Sequence, residues 1–200
     1  MTDEVISREF FERPSVEVAR DLVGCTLVVQ NDQQRAHARL VETEAYGGLD
    51  DPASHSYRGP TPRSAIMFGP AGFLYVYFVY GMHWCANVVT GPEGVAGAVL
   101  LRAAQMSDGG ELGSNGVLRG PGNLTRGLGI DGADNGSDCC AGDGARIYFV
   151  ARAPRERDLR VSSSTRIGVT RATERPWRFF EAGHPAVSKR PTSASAPRKK

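Results

Sequence analysis

The sequence lacks any apolar run near the length of about 18 residues that a membrane-spanning helix needs. Its opening residues, Met1 to Val5, also lack the basic and apolar blocks of a secretory signal peptide. Its four cysteines and four histidines follow no zinc-binding spacing. We therefore expect a cytoplasmic protein without membrane contact and with reduced cysteines, of which Cys25 and Cys85 are small core residues.

Strong net charge is also absent. The formal charge is +2 and the pI is about 8.4. Any attraction to phosphate must therefore come from cations that cluster locally. Arg58, Arg63, Arg119 and Arg126 are candidates for phosphate contacts, although solvated loops often carry arginines as well.

Apolar residues make up 40% of the chain, which is enough to fill one core. We expect a single compact domain over residues 1–188. We expect residues 189–200 to form a disordered basic tail, because they have nothing apolar to bury. Residues 127–144 are rich in Gly, Asp, Asn and Ser, which predicts an exposed, mobile loop.

The periodicity of apolar residues predicts the secondary structure. Apolar positions at helical spacing predict a helix from Pro14 to Gly24. Alternating and β-branched segments predict strands. These strands are predicted at 25–30, 36–46, 73–80, 84–89, 95–102, 146–152 and 179–180. The pattern predicts a mixed α/β (α+β) fold with a curved antiparallel β-sheet, short helices and a protruding β-hairpin.

The second predicted strand brings chemically active side chains together. Because side chains alternate along a strand, Leu40, Glu42, Glu44 and Tyr46 are predicted to share one face, with the intervening residues on the other. The loop after this strand carries His55, which can fold back so that an acid, a phenol and an imidazole line one pocket. The alternative is that both glutamates pair with arginines and that His55 is an ordinary surface residue.

The second predicted hairpin is rich in aromatic residues around a turn at Gly81. Tyr77 lies inside a strand, where it can stack on a ligand, whereas Tyr80 adjoins the turn and can protrude. A protruding ring is suited to insertion between stacked bases of DNA. The alternative is a core of aromatic cross-strand pairs.

A series of short motifs runs in order along residues 8–188. The motifs are RLVETEAY at 39–46, HS at 55–56, TPR at 61–63, MF at 67–68, LYVYFVYGMH at 74–83, Asn87, VLLRA at 99–103, GPGNL at 120–124, RIG at 166–168 and GHP at 183–185. Together they resemble the 3-methyladenine (alkyladenine) DNA glycosylase family. So many matches in the right order are far more specific than any single motif.

The resemblance implies a monomeric DNA glycosylase of base excision repair that needs no cofactor and no metal, associated with the nucleoid if bacterial. It would flip an alkylated or deaminated purine out of double-stranded DNA and hydrolyse the N-glycosidic bond, leaving an abasic site. The expected substrates are of the 3-methyladenine, 7-methylguanine, hypoxanthine and ethenoadenine class. Two alternatives stay open: a non-catalytic binder of distorted or damaged DNA, and a nucleoside hydrolase.

By matching position, the resemblance implies the catalytic residues. Glu44 would be the general base that activates the attacking water, while Arg102 and the backbone of Ile167 would help to fix that water. The same carboxylate would stabilise the oxocarbenium-like sugar that the departing purine leaves. No lysine accompanies these motifs, so we expect neither a Schiff base nor strand cleavage.

The resemblance also implies how the substrate is held. Tyr46 and Tyr77 would stack on the two sides of the flipped purine and favour cationic alkylated purines by cation–π attraction. His55 would contact the sugar-phosphate or the base, and Asn87 would exclude guanine by meeting its exocyclic amino group. Tyr80 would be the wedge that fills the gap in the base stack. The other expected DNA contacts are Thr61, Arg63, Met82 and His83.

One residue departs from the family pattern. Asn123 stands where a basic residue is common, which weakens the case for one phosphate contact.

Overall fold

Nine antiparallel strands form one curved sheet in the computed structural model, which describes residues 4–31, 33–79, 81–107, 116–153 and 159–188. The strands are β1 (Thr26–Gln30), β2 (Arg35–Tyr46), β3 (Leu74–Val79), β4 (His83–Val89), β5 (Ala98–Met106), β6 (Val117–Arg119), β7 (Ile147–Val150), β8 (Val161–Ser164) and β9 (Arg178–Glu181). The main path runs β3-β4-β5-β2-β1-β7. Strand β6 pairs with β5, and β9 joins β8 to β2. The predicted α+β fold in a single compact domain is confirmed.

The helices of the described residues are short: α1 (Arg8–Phe11), α2 (Ser15–Leu22) and α3 (Pro121–Leu128), with 3₁₀ helices at Ala65–Phe68 and Gly132–Asp134. None of them has the length and apolar character needed to cross a membrane.

Helix α2 covers one face of the sheet. Val18, Ala19 and Leu22 are fully buried on the helix side that faces the sheet. Thr43 Oγ1 donates a hydrogen bond to the carbonyl oxygen of Ala19 at 2.6 Å and so fixes the helix on β2. The helix predicted from Pro14 is confirmed, and Gly24, with φ of +93°, follows its C-terminus as expected.

A pair of β-bulges interrupts the alternation of β2 and β5. Leu40 pairs with Ala104, but the next partners are Glu42 with Ala103 and Thr43 with Leu101, so Val41 and Arg102 are extra residues in their strands. A bulge re-aims the side chains that follow it.

On the α2 side, the bulge puts Leu40 in the same core cluster as Ala45, an odd-numbered residue. The predicted face of Leu40 was therefore wrong.

On the other side, Val41 packs with Ala103 and Ala186. Glu42, Glu44 and Tyr46 stay together there, as predicted, because they follow the bulge.

Residues 127–144 are not the exposed, mobile loop that their composition predicts. Leu128, Ile130, Asp134 and Cys139 are buried there. The segment follows the outer edge of β3, whose unpaired backbone groups need partners. The backbone N–H of Leu74 donates to the carbonyl of Ser137 at 2.8 Å, and that of Val76 donates to Asn135 Oδ1 at 2.9 Å. Polar residues suit this position because they provide hydrogen-bond partners for the unpaired backbone groups of the edge strand.

Other predicted boundaries need smaller corrections. The strand expected at 95–102 is β5, displaced toward the C-terminus, and α1, α3, β6 and β8 were not predicted. No disulfide joins the four cysteines, all of which lie in the described residues, and Cys25 is buried as expected. Tyr80 and the tail 189–200 lie outside the described residues.

Candidate active site

A cavity of about 990 Å³ opens on the face of the sheet opposite α2. Its walls come from the segment after β2, the hairpin β3–β4, strand β5, the start of α3 and the segment between β8 and β9. Among the lining residues are Tyr46, His55, Thr61, Arg63, Tyr77, His83, Asn87, Arg102 and Ile167, all of them predicted site residues.

Glu44 lies behind the wall of this cavity. Its side chain has no solvent exposure, and Glu44 is not one of the residues that line the cavity. Three residues that do line it enclose the carboxylate. The backbone N–H of Ile167 donates to Oε1 at 2.7 Å, while the Tyr46 hydroxyl at 3.0 Å and Arg102 Nη1 at 3.2 Å donate to Oε2. The prediction that this acid itself lines the pocket was wrong, because its donors stand between it and the cavity.

The environment of Glu44 favours its protonated form more than water does. Burial raises the pKa of this carboxyl and outweighs Arg102, Ile167 and Tyr46, which lower it. The charge of Glu42 acts in the same direction as burial. Burial also raises the pKa of Tyr46, so its phenol stays protonated and acts as a donor.

Glu42 forms a second acidic centre beside Glu44. Arg102 Nε donates to Glu42 Oε1 at 2.8 Å, and Arg178 Nε donates to the same oxygen at 2.7 Å. Ser188 contributes its backbone N–H to Oε2 at 2.6 Å and its hydroxyl to Oε1 at 2.8 Å. Burial alone would raise the pKa of Glu42, but these donors and charges lower it below its ordinary value. For Glu42 the alternative interpretation, a structural ion pair, fits the structure.

Arg166 and Asp51 fix the loop that follows β2, and sequence reasoning gave neither residue a role. Arg166 donates two hydrogen bonds to the Asp51 carboxylate, at 2.6 and 2.8 Å, and both residues are buried. The guanidinium also lies 4.8 Å from the ring centre of Tyr46. Asp51 further accepts the backbone N–H of Gly47 and that of Ala53. The signal was present, because Arg166 precedes Ile167 within a recognised motif.

His55 lies with the aromatic residues of β3 and not beside Glu44. Its Nδ1 is 3.0 Å from the Tyr75 hydroxyl, and its ring centre is 4.8 Å from that of Tyr77, in an edge-on arrangement. Partial burial, followed by the charge of Arg63, lowers the pKa of His55, so the imidazole is neutral at neutral pH. His55 does line the cavity, as predicted. The prediction that it lies beside the Glu44 carboxylate is wrong, because its contacts are with Tyr75 and Tyr77 on β3.

Asn87 and Cys85 lie on the cavity side of β4. The Asn87 amide donates to the carbonyl oxygen of Tyr75 at 3.0 Å, which fixes the orientation of the amide. Cys85 is buried, but it also lines the cavity and its thiol contacts the Tyr77 hydroxyl. Cys85 was expected to be a small core residue, but it also forms part of the cavity wall.

The residues predicted to contact DNA lie at the cavity mouth and at the hairpin end. The guanidinium of Arg63 lies 4.7 Å from the ring centre of Tyr77, and Thr61 pairs with Ser64 in a turn. Met82 is 68% exposed at the end of the hairpin, which leaves it free for an external partner. His83 is exposed and packs against Gly122, where a Cβ would lie 2.9 Å from the imidazole ring.

Asn123 lies at the start of α3, exposed at the cavity wall. Arg126 Nη2 donates to Asn123 Oδ1 at 2.9 Å. The asparagine thus brings a guanidinium to the position at which a basic residue was expected.

The chain is similar to known proteins over most of its length. The family model of the methylpurine-DNA glycosylases matches residues 9–185. A protein of Anaeromyxobacter sp. (strain Fw109-5) is 49% identical over 190 residues, which cover 93% of each chain. A protein of Streptomyces avermitilis is 42% identical over 205 residues, 98% of this chain and 95% of the relative. One of Methanocella arvoryzae is 42% identical over 198 residues, 93% of this chain and 96% of the relative. The names of all three assign them to the 3-methyladenine DNA glycosylases.

Proposed function

Because this chain belongs to the methylpurine-DNA glycosylase family, and is thus a DNA glycosylase that acts in DNA repair, we propose that it hydrolyses the N-glycosidic bond of alkylated or deaminated purines with Glu44 as general base. One observation carries this proposal. A fully buried carboxylate is held by three donors, each on a residue that lines a cavity of about 990 Å³. A cavity of this size accommodates a purine with its sugar.

In the proposed reaction, the damaged purine leaves the duplex and enters the cavity. A water molecule enters from the cavity between Tyr46 and Arg102 and approaches Glu44 Oε2. Its oxygen forms a bond to C1′ of the sugar while the bond from C1′ to the purine nitrogen breaks and the electron pair departs with the purine. The proton of the water passes to Glu44. A cationic alkylated purine leaves as a neutral base and Glu44 passes its proton to solvent, whereas an uncharged purine leaves as an anion and takes up one proton. The products are a free purine and an abasic site in DNA.

The charges around Glu44 suit this chemistry. The sugar becomes positively charged as the purine leaves, and an ionised carboxylate in a dry site stabilises that charge strongly. The raised pKa of Glu44 makes it a better proton acceptor than an exposed glutamate. Ile167 keeps the carboxylate in place through a backbone N–H, which has no charge to neutralise the base.

The aromatic side chains support a binding role for the cavity. Tyr46 and Tyr77 both line it, and we propose that they stack on the flipped purine. The guanidinium of Arg63 lies over the ring of Tyr77, and that of Arg166 lies near the ring of Tyr46, which supports a role of both rings in binding cations. The same attraction favours 3-methyladenine and 7-methylguanine, which are cationic when bound in DNA.

The remaining contacts complete the proposal. We assign Asn87 the exclusion of guanine, because its amide is fixed and faces the cavity. We assign DNA contacts to Thr61, Arg63, Met82 and His83. We also assign the wedge role to Tyr80, on the basis of its place in the sequence beside Gly81. We further propose that the protein acts as a monomer on damaged double-stranded DNA and needs no cofactor.

The test compares the wild-type protein with Glu44→Gln on duplexes that contain 3-methyladenine, 7-methylguanine, hypoxanthine or ethenoadenine. Loss of the general base should lower the single-turnover rate of base release by about 100-fold or more. The affinity for the same duplex should be unchanged, because Gln preserves the shape of the cavity wall.

Two controls distinguish the alternatives. A non-catalytic binder would retain the duplex without releasing a base, and a nucleoside hydrolase would release the base from free inosine as fast as from DNA. Full turnover by Glu44→Gln would overturn the catalytic assignment.

A further inference from the structure

Arg102 divides its guanidinium among three acceptors. Nε donates to Glu42 Oε1 at 2.8 Å, Nη1 to Glu44 Oε2 at 3.2 Å and Nη2 to Ser188 Oγ at 3.2 Å. A free guanidinium beside a carboxylate prefers a two-point contact with two parallel hydrogen bonds. Arg102 gives Glu44 only one, and the longer one, because its other nitrogens are held elsewhere.

Glu42 is itself held firmly enough to act as an anchor. Arg178 Nε and the Ser188 hydroxyl donate to the oxygen that Arg102 also contacts. The backbone N–H of Ser188 occupies the other oxygen. Glu42 therefore stays ionised and cannot rotate without breaking contacts to three other residues.

Ser188 reaches this centre from the other end of the described chain, 146 residues after Glu42. Ala186 is fully buried between Val41 and Ala103 and fixes the segment next to the sheet. The Ser188 hydroxyl touches both the anchor and the arginine. Neither the family pattern nor the proposed mechanism gives this serine a task.

We propose that Glu42 and Ser188 are positioning residues for base release: together they hold Arg102 so that it offers Glu44 only one hydrogen bond and leaves the carboxylate able to accept a proton from the attacking water. The proposal rests on the proposed function, since it concerns the same base. Without the anchor, Arg102 turns toward Glu44 and forms the two-point contact. Glu44 then loses basicity, and the entry between Tyr46 and Arg102 closes.

The pH dependence of base release distinguishes a positioning role from a merely structural one. If the two residues only stabilised the fold, their loss would not change that pH dependence. Glu44 must be ionised to act, so the rate falls on the acid side of its pKa. The titratable or charged groups that face Glu44 are Glu42 and Tyr46 on β2, Cys85 on β4, Arg102 on β5, Arg178 on β9 and Arg166 before β9. Of these, Arg102 and Glu42 each lose one hydrogen bond when Ser188 loses its hydroxyl, and only Arg102 contacts Glu44 directly.

The experiment uses Ser188→Ala in the full chain, with a duplex that contains hypoxanthine. The loss of the two hydrogen bonds that the hydroxyl makes with Arg102 and Glu42 should lower the single-turnover rate by about tenfold at neutral pH. The acid-side limb of the pH–rate profile, where the rate falls as Glu44 becomes protonated, should move to lower pH. The affinity for the duplex should not change. Ser188→Thr, which keeps a hydroxyl, should restore both rate and limb. Ser163→Ala, at an exposed serine on β8, is the matched control and should equal wild type.

Glu42→Gln provides a second test in the same direction, with a larger loss of rate. If that variant does not fold, Ser188→Ala decides the question. A wild-type rate and limb in Ser188→Ala would overturn the proposal, and so would a limb displaced to higher pH. Failure of the proposed function is distinguishable, because Glu44→Gln would then keep its activity, whatever Ser188→Ala does.

Discussion

Glu42 and Glu44 are two residues apart on one strand, point to the same side, have no solvent exposure and both touch Arg102. Their pKa values nevertheless move in opposite directions, down for Glu42 and up for Glu44. Burial raises the pKa of both carboxyls, and more so for the more deeply buried Glu44, but the opposite directions also require different partners.

The difference lies in the donors. Two arginine Nε atoms, a backbone N–H and a hydroxyl reach Glu42. Glu44 receives one arginine nitrogen at 3.2 Å, one backbone N–H and one phenol. At Glu42 the charges of Arg102 and Arg178 and the donors of Arg178 and Ser188 together outweigh burial, whereas at Glu44 burial and the charge of Glu42 prevail. One carboxylate is thus a fixed anion, and the other keeps the basicity that proton transfer needs.

The largest expected effect separates the two glutamates by stability. Glu42→Gln should lower the free energy of unfolding by about 3 kcal/mol, because it leaves Arg102 and Arg178 buried beside a neutral amide. Glu44→Gln should change it by less than about 1 kcal/mol, because this site already favours an uncharged side chain. Denaturant unfolding at neutral pH measures both.

The pH dependence of the free energy of unfolding tests the direction of each pKa shift. The lowered pKa of Glu42 means that its stabilisation is present above the unfolded-state pKa and is lost as the pH falls through the folded-state pKa. The deficit of Glu42→Gln should therefore shrink in strong acid. For Glu44 the raised pKa gives the opposite sign: its stabilisation is present at low pH and is lost as the pH rises through the folded-state pKa. Equal deficits for both variants at neutral pH would break the comparison.

Asp51 is a third buried carboxylate, and it belongs with Glu42. Burial acts to raise its pKa, but the paired hydrogen bonds of Arg166 and two backbone N–H groups lower it. Asp51→Asn should cost about 2 kcal/mol of stability. It should also weaken binding of lesion-containing DNA by about tenfold, because the loop that carries His55 loses its anchor. Equilibrium binding and single-turnover rates separate this effect from chemistry.

The neighbouring residue is the matched control for Asp51. Asp50 is 76% exposed and lies 3.8 Å from Arg175, a contact that contributes little in water. Asp50→Asn should therefore match the wild type in binding and stability. If Asp51→Asn bound DNA as tightly as Asp50→Asn, the loop would need another anchor.

Local patterns predicted much of this arrangement. Alternation placed Glu42, Glu44 and Tyr46 on one side, and aromatic density marked the β3–β4 hairpin. The bulges at Val41 and Arg102 could not be predicted, because they depend on pairing between strands that are distant in sequence. Their absence from the prediction is why the face of Leu40 was wrong.

The prediction from composition was least accurate where polar residues supply hydrogen-bond partners to the backbone of an edge strand. Residues 127–144 have few apolar side chains, yet Asn135 and Ser137 complete the hydrogen bonding of β3. The Arg166–Asp51 pair and the anchoring of Glu42 by Ser188 were missed for a related reason. Each joins residues more than 100 positions apart, and no local pattern indicates such contacts.

The smallest expected effect tests the third donor of Glu44. Tyr46→Phe keeps the ring for stacking and removes only the hydroxyl that donates to Oε2 at 3.0 Å. This hydrogen bond lowers the pKa of Glu44, so its loss should raise that pKa further and move the acid-side limb of base release to higher pH. On that limb the rate should fall by about fivefold, the equivalent of one hydrogen bond.

Tyr77→Phe removes a hydroxyl from the same cavity, but that hydroxyl contacts Cys85 and not a carboxylate. Whatever it does to the rate, it should leave the limb in place. The two phenylalanine variants thus compare equal losses of volume at two rings, only one of which is hydrogen-bonded to the base. If both limbs moved together, the hydroxyl of Tyr46 would have no specific hold on Glu44, and the difference between the two glutamates would rest on their arginines alone.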